Sequence, residues 1–130
     1  MSFLERVHDL PVLGLGMSTE YGAGDSEGAL DLLAHKRAHP QFARFLELGI
    51  ETVKGIDTHA EAWLSTGSPT TYHFLDVNLD EKEDFDAVWL AQVRALVRKI
   101  KPAWMCGDAG LWHFGRRERG HMLLLPPILT

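Results

Sequence analysis

Cysteine is nearly absent from this chain of 130 residues, in which Cys106 is the single example. An intramolecular disulfide is therefore excluded, and a lone thiol is typical of a reducing compartment, so we expect a cytoplasmic protein. For Cys106 itself we expect a small buried strand residue, with a nucleophile as the alternative.

Long apolar runs and an excess of positive charge are also lacking. The formal net charge is -5, with 13 Lys and Arg against 18 Asp and Glu, which argues against a nucleic-acid partner. Apolar runs fall far short of the ~20 residues that cross a bilayer, so no membrane partner is predicted. Hydrophobic residues make up 45% of the chain, as in soluble globular proteins, and the length suits a single domain over residues 1–130.

Along the chain, segments with a strand pattern alternate with segments with a helix pattern. Short apolar or β-branched stretches predict four strands, over residues 12–17, 45–50, 70–77 and 103–106. Helices are predicted between them, over residues 27–39, from a capping box of Thr58 and Glu61, and over residues 85–100, where apolar residues recur at helical spacing. This order predicts parallel βαβ units in an α/β fold.

The spacing of the predicted strands favours a barrel. They begin near residues 12, 45, 71 and 103. This spacing is close to the roughly 31 residues per βα unit of a TIM barrel, so the chain would supply about the first four of eight units, a half barrel. An open, doubly wound sheet also suits the length, but no dinucleotide-type glycine turn and no Walker-type lysine supports it.

Histidine and acidic residues are predicted at the carboxyl ends of these strands, where parallel α/β folds hold their sites. The candidate metal ligands are His73, Asp76, Asp108, His113 and His121. A His and carboxylate set with open coordination positions suits iron, manganese or zinc, any of which can activate water or an oxidant. The alternatives are a hydrogen-bonded core histidine for His73 and a helix cap or salt bridge for Asp108.

Two further residues are candidates for substrate binding. Trp112 lies in the loop after the fourth predicted strand, and Glu47 lies within the second. Both are placed by the predicted topology near the face that carries the candidate ligands.

Several short stretches resemble one enzyme family. They are residues 13–16 (LGLG), 45–47 (FLE), 71–76 (TYHFLD), 84–86 (DFD) and 124–126 (LLP). The chain resembles the multinuclear non-haem iron-dependent oxidative enzymes, typified by the methanobactin-biosynthesis enzyme. Residues 107–115 (GDAGLWHFG) resemble a divergent branch of it.

The resemblance implies a TIM barrel that holds two or three iron ions and acts with dioxygen on a ribosomally made peptide, commonly at cysteine. It further implies a partner protein that presents the peptide. His73 and Asp108 match metal ligands of the family, whereas Gly49, Thr52 and Ala109 stand where the family has His, Asn and His. The family barrel is about twice as long, so the resemblance implies a missing C-terminal half, a partner half or self-association.

Three functional hypotheses follow. The first is a metal-dependent oxidative enzyme domain that modifies a peptide. The second is a non-catalytic half barrel that serves binding or assembly, which Gly49, Thr52 and Ala109 favour. The third is a metal-dependent hydrolase or isomerase on the same kind of barrel.

Overall fold

A computed structural model of the chain describes residues 2–20, 30–78, 81–108, 110–113 and 120–125. Its elements are α1 (Phe3–His8), β1 (Met17–Glu20), α2 (Leu32–Ala38), β2 (Leu46–Ile50), α3 (Thr58–Ser65), β3 (Thr70–Phe74), α4 (Ala87–Ile100), β4 (Met105–Gly107), β5 (Leu111–His113) and β6 (Gly120–Leu125). A short 3₁₀ helix, Lys82–Phe85, precedes α4. No helix within these ranges is long and apolar enough to cross a membrane.

The main sheet is parallel and has four strands in the order β1, β2, β3, β4. Parallel neighbours need a crossover connection, usually a helix, and α2, α3 and α4 lie in the three connections. This confirms the predicted α/β fold. Strands β5 and β6 pair with each other, antiparallel, in a separate two-stranded sheet.

The core lies between the main sheet and its three helices. Leu46, Leu48 and Ile50 of β2 and Tyr72 of β3 face it. Against them pack Leu32 of α2, Ala60 and Trp63 of α3, and Trp89, Val93, Leu96 and Ile100 of α4. All three helices therefore cover the same face of the sheet. In a doubly wound sheet, helices cover both faces and the strand order reverses at a switch point.

Each of these helices begins at an aspartate. The carboxylates of Asp31, Asp57 and Asp86 accept hydrogen bonds from main-chain N–H groups one turn on. The bond from the N–H of Ala34 lowers the pKa of Asp31 below its usual value. The prediction that Thr58 caps α3 was wrong by one residue, because Asp57 is the cap and a carboxylate complements the positive end of the helix.

Strand β1 begins later than the sequence predicted. Residues 12–16 precede it, and Val12 and Leu15 are exposed. Gly14 has a φ of 85°, which an extended strand does not allow. The main-chain N–H of Arg44 donates to the carbonyl of Leu15, so pairing with the segment before β2 begins only after Gly14.

Candidate metal centre

The two faces of the main sheet differ in chemistry. Side chains alternate between faces along a strand, and residues in parallel register share a face. The face opposite the helices therefore carries Ser18 of β1, Glu47 and Gly49 of β2, Thr71 and His73 of β3, and Cys106 of β4. Asp108 follows Cys106 by two positions, beyond the end of β4. We call this set the polar face.

His73 and Asp108 are in direct contact on the polar face. His73 Nε2 lies 2.9 Å from Asp108 Oδ2, and the two side chains are 12% and 34% exposed. Two cis ligands of one metal ion lie about 3 Å apart, so this separation suits shared coordination as well as a hydrogen bond. Both residues sit at the carboxyl end of the sheet, because His73 is the fourth residue of β3 and Asp108 follows β4.

Glu47 shows that the sheet curves around the polar face. Its Oε1 accepts a hydrogen bond from Ser18 Oγ at 3.1 Å, and its Oε2 lies 3.9 Å from Cys106 Sγ. Ser18 is on β1 and Cys106 is on β4, and in a flat sheet these strands would be about 14 Å apart. One carboxylate can reach both only if the strands bend toward each other, so the polar face is concave.

Aromatic side chains occupy the amino-terminal end of this concave face. The rings of Phe45 and Trp104 approach across β3, with centroids 6.5 Å apart. A Cβ at Gly16 would lie 2.4 Å from the Phe45 ring, so the ring needs a glycine there. His73, Cys106 and Asp108 lie farther along, toward the carboxyl end, where parallel α/β folds perform chemistry.

Cys106 lies in a strand, as predicted, but on the polar face and exposed, so the predicted burial was wrong. The reason is that β4 turns this residue away from the helices, toward the open concave side. Partial burial raises the pKa of the Cys106 thiol, and the negative charges of Glu47 and Asp108 raise it further. Cys106 is therefore a protonated thiol at neutral pH.

Asp76 lies apart from His73 and Asp108. Its Oδ2 accepts hydrogen bonds from the main-chain N–H of Thr52 at 2.9 Å and from Thr52 Oγ1 at 2.6 Å. Its Oδ1 accepts one from Trp89 Nε1 at 2.8 Å, so the carboxylate points to the helix side. Three donors hold this carboxylate, which is 5% exposed, and tie the end of β2 to α4.

His113 belongs to a second cluster. Its Nε2 lies 2.8 Å from Asp84 Oδ2, and this oxygen also accepts the main-chain N–H of Asn78 at 2.5 Å. Ligand atoms of Glu81, Asp84 and His113 lie within 4.8 Å of one another, as a metal site would require. His113 is 1% exposed. The amide of Asn78 bonds the main chain of β5 at Trp112 and His113, so the cluster also anchors β5 to the loop after β3.

The remaining candidates are placed as follows. Trp112 is buried, and its indole N–H has no hydrogen-bond partner among the described residues. His121 lies in β6, but its side chain is outside the described part of the chain, as is Ala109. The sequence interpretation did not consider Cys106 as a ligand or Asp84 as a partner of His113. The two-residue spacing of Cys106 and Asp108 was the available signal for the former.

Comparison of the chain with protein-family models, with curated proteins and with solved structures finds no match.

Proposed function

We propose that β1 to β4 form about half of a TIM-barrel-type domain. The sequential strand order, the placement of three helices on one face and the curvature of the sheet support this. Strands β1 and β4 have a neighbour on one side only among the described residues. A second copy of the chain or a further polypeptide would pair with these edges and complete the barrel.

We propose that the polar face holds a catalytic metal ion bound by His73 and Asp108. The observation that carries this proposal is the 2.9 Å separation of His73 Nε2 and Asp108 Oδ2 at the carboxyl end of the concave face. The donor set fits a first-row metal, since imidazole and carboxylate are both ligands of iron, zinc and manganese. Iron is the leading choice because of the family resemblance.

The chemistry would be oxidative, with a ribosomally made peptide as substrate, a cysteine of the peptide as the reacting residue and a second protein that presents it. A bound iron ion would supply activation of dioxygen. His73 would contribute a neutral nitrogen donor, and Asp108 would balance positive charge. Glu47 has carboxylate oxygens on the same face, which can hold or accept a proton beside the site.

Two alternatives are retained, each on a specific observation. Gly49 is in register with His73 and has no side chain that could bind a metal. Thr52 donates both its main-chain N–H and its hydroxyl to Asp76. These two facts favour a non-catalytic binding or assembly module. Zinc or manganese in place of iron, on the same two ligands, would favour a hydrolase or isomerase.

Equilibrium dialysis against ferrous iron without oxygen, followed by elemental analysis, tests the metal site. We expect iron to bind the unmodified chain and the His8→Ala variant, whose substitution lies at an exposed position in α1. The His73→Ala and Asp108→Asn variants should lose most of it. Equal binding by all four proteins would contradict the proposal. Loss in a His113→Gln variant instead would move the metal to the cluster with Glu81 and Asp84.

A further inference from the structure

Cys106 is in register with His73 on the adjacent strand. Register partners on one face have their Cβ atoms about 5 Å apart, and Asp108 follows two positions later on the same side. Three residues able to ligate a metal therefore share one corner of the polar face. On the other side of His73 its register partner is Gly49, which carries no side chain. Cys106 is thus the only register partner that can contribute a ligand atom.

The thiol of Cys106 is placed beside a proton acceptor. Its Sγ lies 3.9 Å from Glu47 Oε2 and an equal distance from the carbonyl oxygen of Tyr72, so it is held only by weak contacts. Rotation about the Cα–Cβ bond moves the sulfur between staggered positions and costs little at an exposed site. As it stands, the sulfur does not lie within 4.8 Å of ligand atoms of both His73 and Asp108, so binding the same ion requires such a rotation away from Glu47.

A second observation points to the same region. Thr71 is in register with Glu47 on the polar face and is fully buried, yet its hydroxyl has no hydrogen-bond partner within the described ranges. A buried hydroxyl without a partner costs about 1–3 kcal/mol. A reoriented Glu47 carboxylate, or water bound beside it, would accept the O–H of this residue.

We propose that Cys106 is a third protein ligand of the metal ion held by His73 and Asp108, an inference that rests on the proposed function. The metal–sulfur bond forms as the S–H bond breaks, and Glu47 accepts the proton and passes it to solvent. No electron is transferred in this step. A thiolate beside an imidazole and a carboxylate makes the site softer than a His and carboxylate pair, which suits ferrous iron, zinc and cobalt(II).

Anaerobic titration of the full chain with cobalt(II) tests this inference. Visible d–d absorption stronger than that of aqueous cobalt(II) reports binding to the protein, whereas a near-ultraviolet sulfur-to-cobalt charge-transfer band reports a thiolate ligand. Cys106 is the only cysteine in the sequence, so such a band can arise from no other residue. We expect both signals from the unmodified protein, with one proton released to the buffer per ion.

Two variants separate the possible results. In Cys106→Ser the d–d absorption should persist, the charge-transfer band should vanish, and cobalt should bind on the order of tenfold more weakly. In His73→Ala both signals should be lost, because the thiolate and the imidazole share one ion. Circular dichroism would establish that each variant is folded.

Three other results would contradict the role of Cys106 or the metal site itself. Visible d–d absorption without a charge-transfer band in the unmodified protein would overturn the role of Cys106 and leave His73 and Asp108 as ligands. A charge-transfer band that survives in His73→Ala would place the thiolate in a different site and also overturn the inference. No cobalt signal at any concentration would contradict the metal site itself.

Discussion

Cys106 is an exposed residue whose thiol pKa the structure raises for identifiable reasons. In the metal-free protein, partial burial and the charges of Glu47 and Asp108 all oppose formation of the thiolate, so the thiol pKa is raised. Glu47→Gln removes one of these charges, and we therefore expect the thiol pKa to fall. The rate of alkylation by iodoacetamide, followed against pH, gives this pKa directly.

Ser18→Ala is the matched control for Glu47→Gln. It removes a hydrogen bond to the same carboxylate but leaves the carboxylate charge in place. Its alkylation profile should stay close to that of the unmodified protein. A thiol pKa that does not move in Glu47→Gln would show that Glu47 does not face Cys106 in solution.

Asp76 is expected to stabilise the fold rather than to bind a metal ion. Asp76→Ala would leave three buried donors unsatisfied, on Thr52 and Trp89, and should lower the free energy of unfolding by about 3 kcal/mol. Asp108→Ala, which removes a one-third exposed carboxylate on the other face, should cost less than about 1 kcal/mol. Chemical denaturation of both variants measures the difference. Equal losses would contradict the division of these two aspartates into structural and ligand roles.

At the level of elements, α4 contributes the largest share of helical side chains to the core. Its buried face recurs at the helical spacing that the sequence displays and consists of Trp89, Val93, Leu96 and Ile100. Its amino-terminal cap is Asp86, whose Oδ1 accepts the N–H of Trp89 at 2.7 Å. The helix therefore depends on one carboxylate for its start.

Asp86→Ala should destabilise the protein by about 1 kcal/mol, the usual cost of removing an aspartate cap. Glu83→Ala removes the same charge at an exposed position three residues earlier and should change stability by less than about 0.5 kcal/mol. Thermal unfolding of the two variants gives the comparison. If Glu83→Ala were the more damaging change, the assignment of the cap would be wrong.

The elements that the sequence predicted well are those with a strong local pattern. Apolar spacing located α4 to within two residues at its start, and the short run over Phe45–Ile50 located β2 to within one. Strand β1 was misplaced because the glycines and apolar residues of 12–16 read as a buried strand. Gly14 there adopts a positive φ, which no periodicity reports.

At the scale of the whole molecule, the candidate site depends on alternation and on register. The sequence placed both His73 and Asp76 on one strand, but β3 ends at Phe74, and Asp76 lies in the bend beyond it, where Thr52 and Trp89 hold its carboxylate. Asp76 therefore joins the helix side, and His73 joins Asp108. The approach of Glu47 to both Ser18 and Cys106 follows from curvature of the sheet, which short-range sequence patterns do not encode.

The structure offers two candidate sites for a metal ion, one at His73 and Asp108 and one at Glu81, Asp84 and His113. The position of a bound ion decides between them. The measurement is an anomalous difference map, collected at the iron absorption edge, from crystals of the chain grown with ferrous iron without oxygen. The account predicts a peak about 2.1 Å from His73 Nε2 and a carboxylate oxygen of Asp108. A peak among Glu81, Asp84 and His113 with none at His73, or no peak at either cluster, would contradict it.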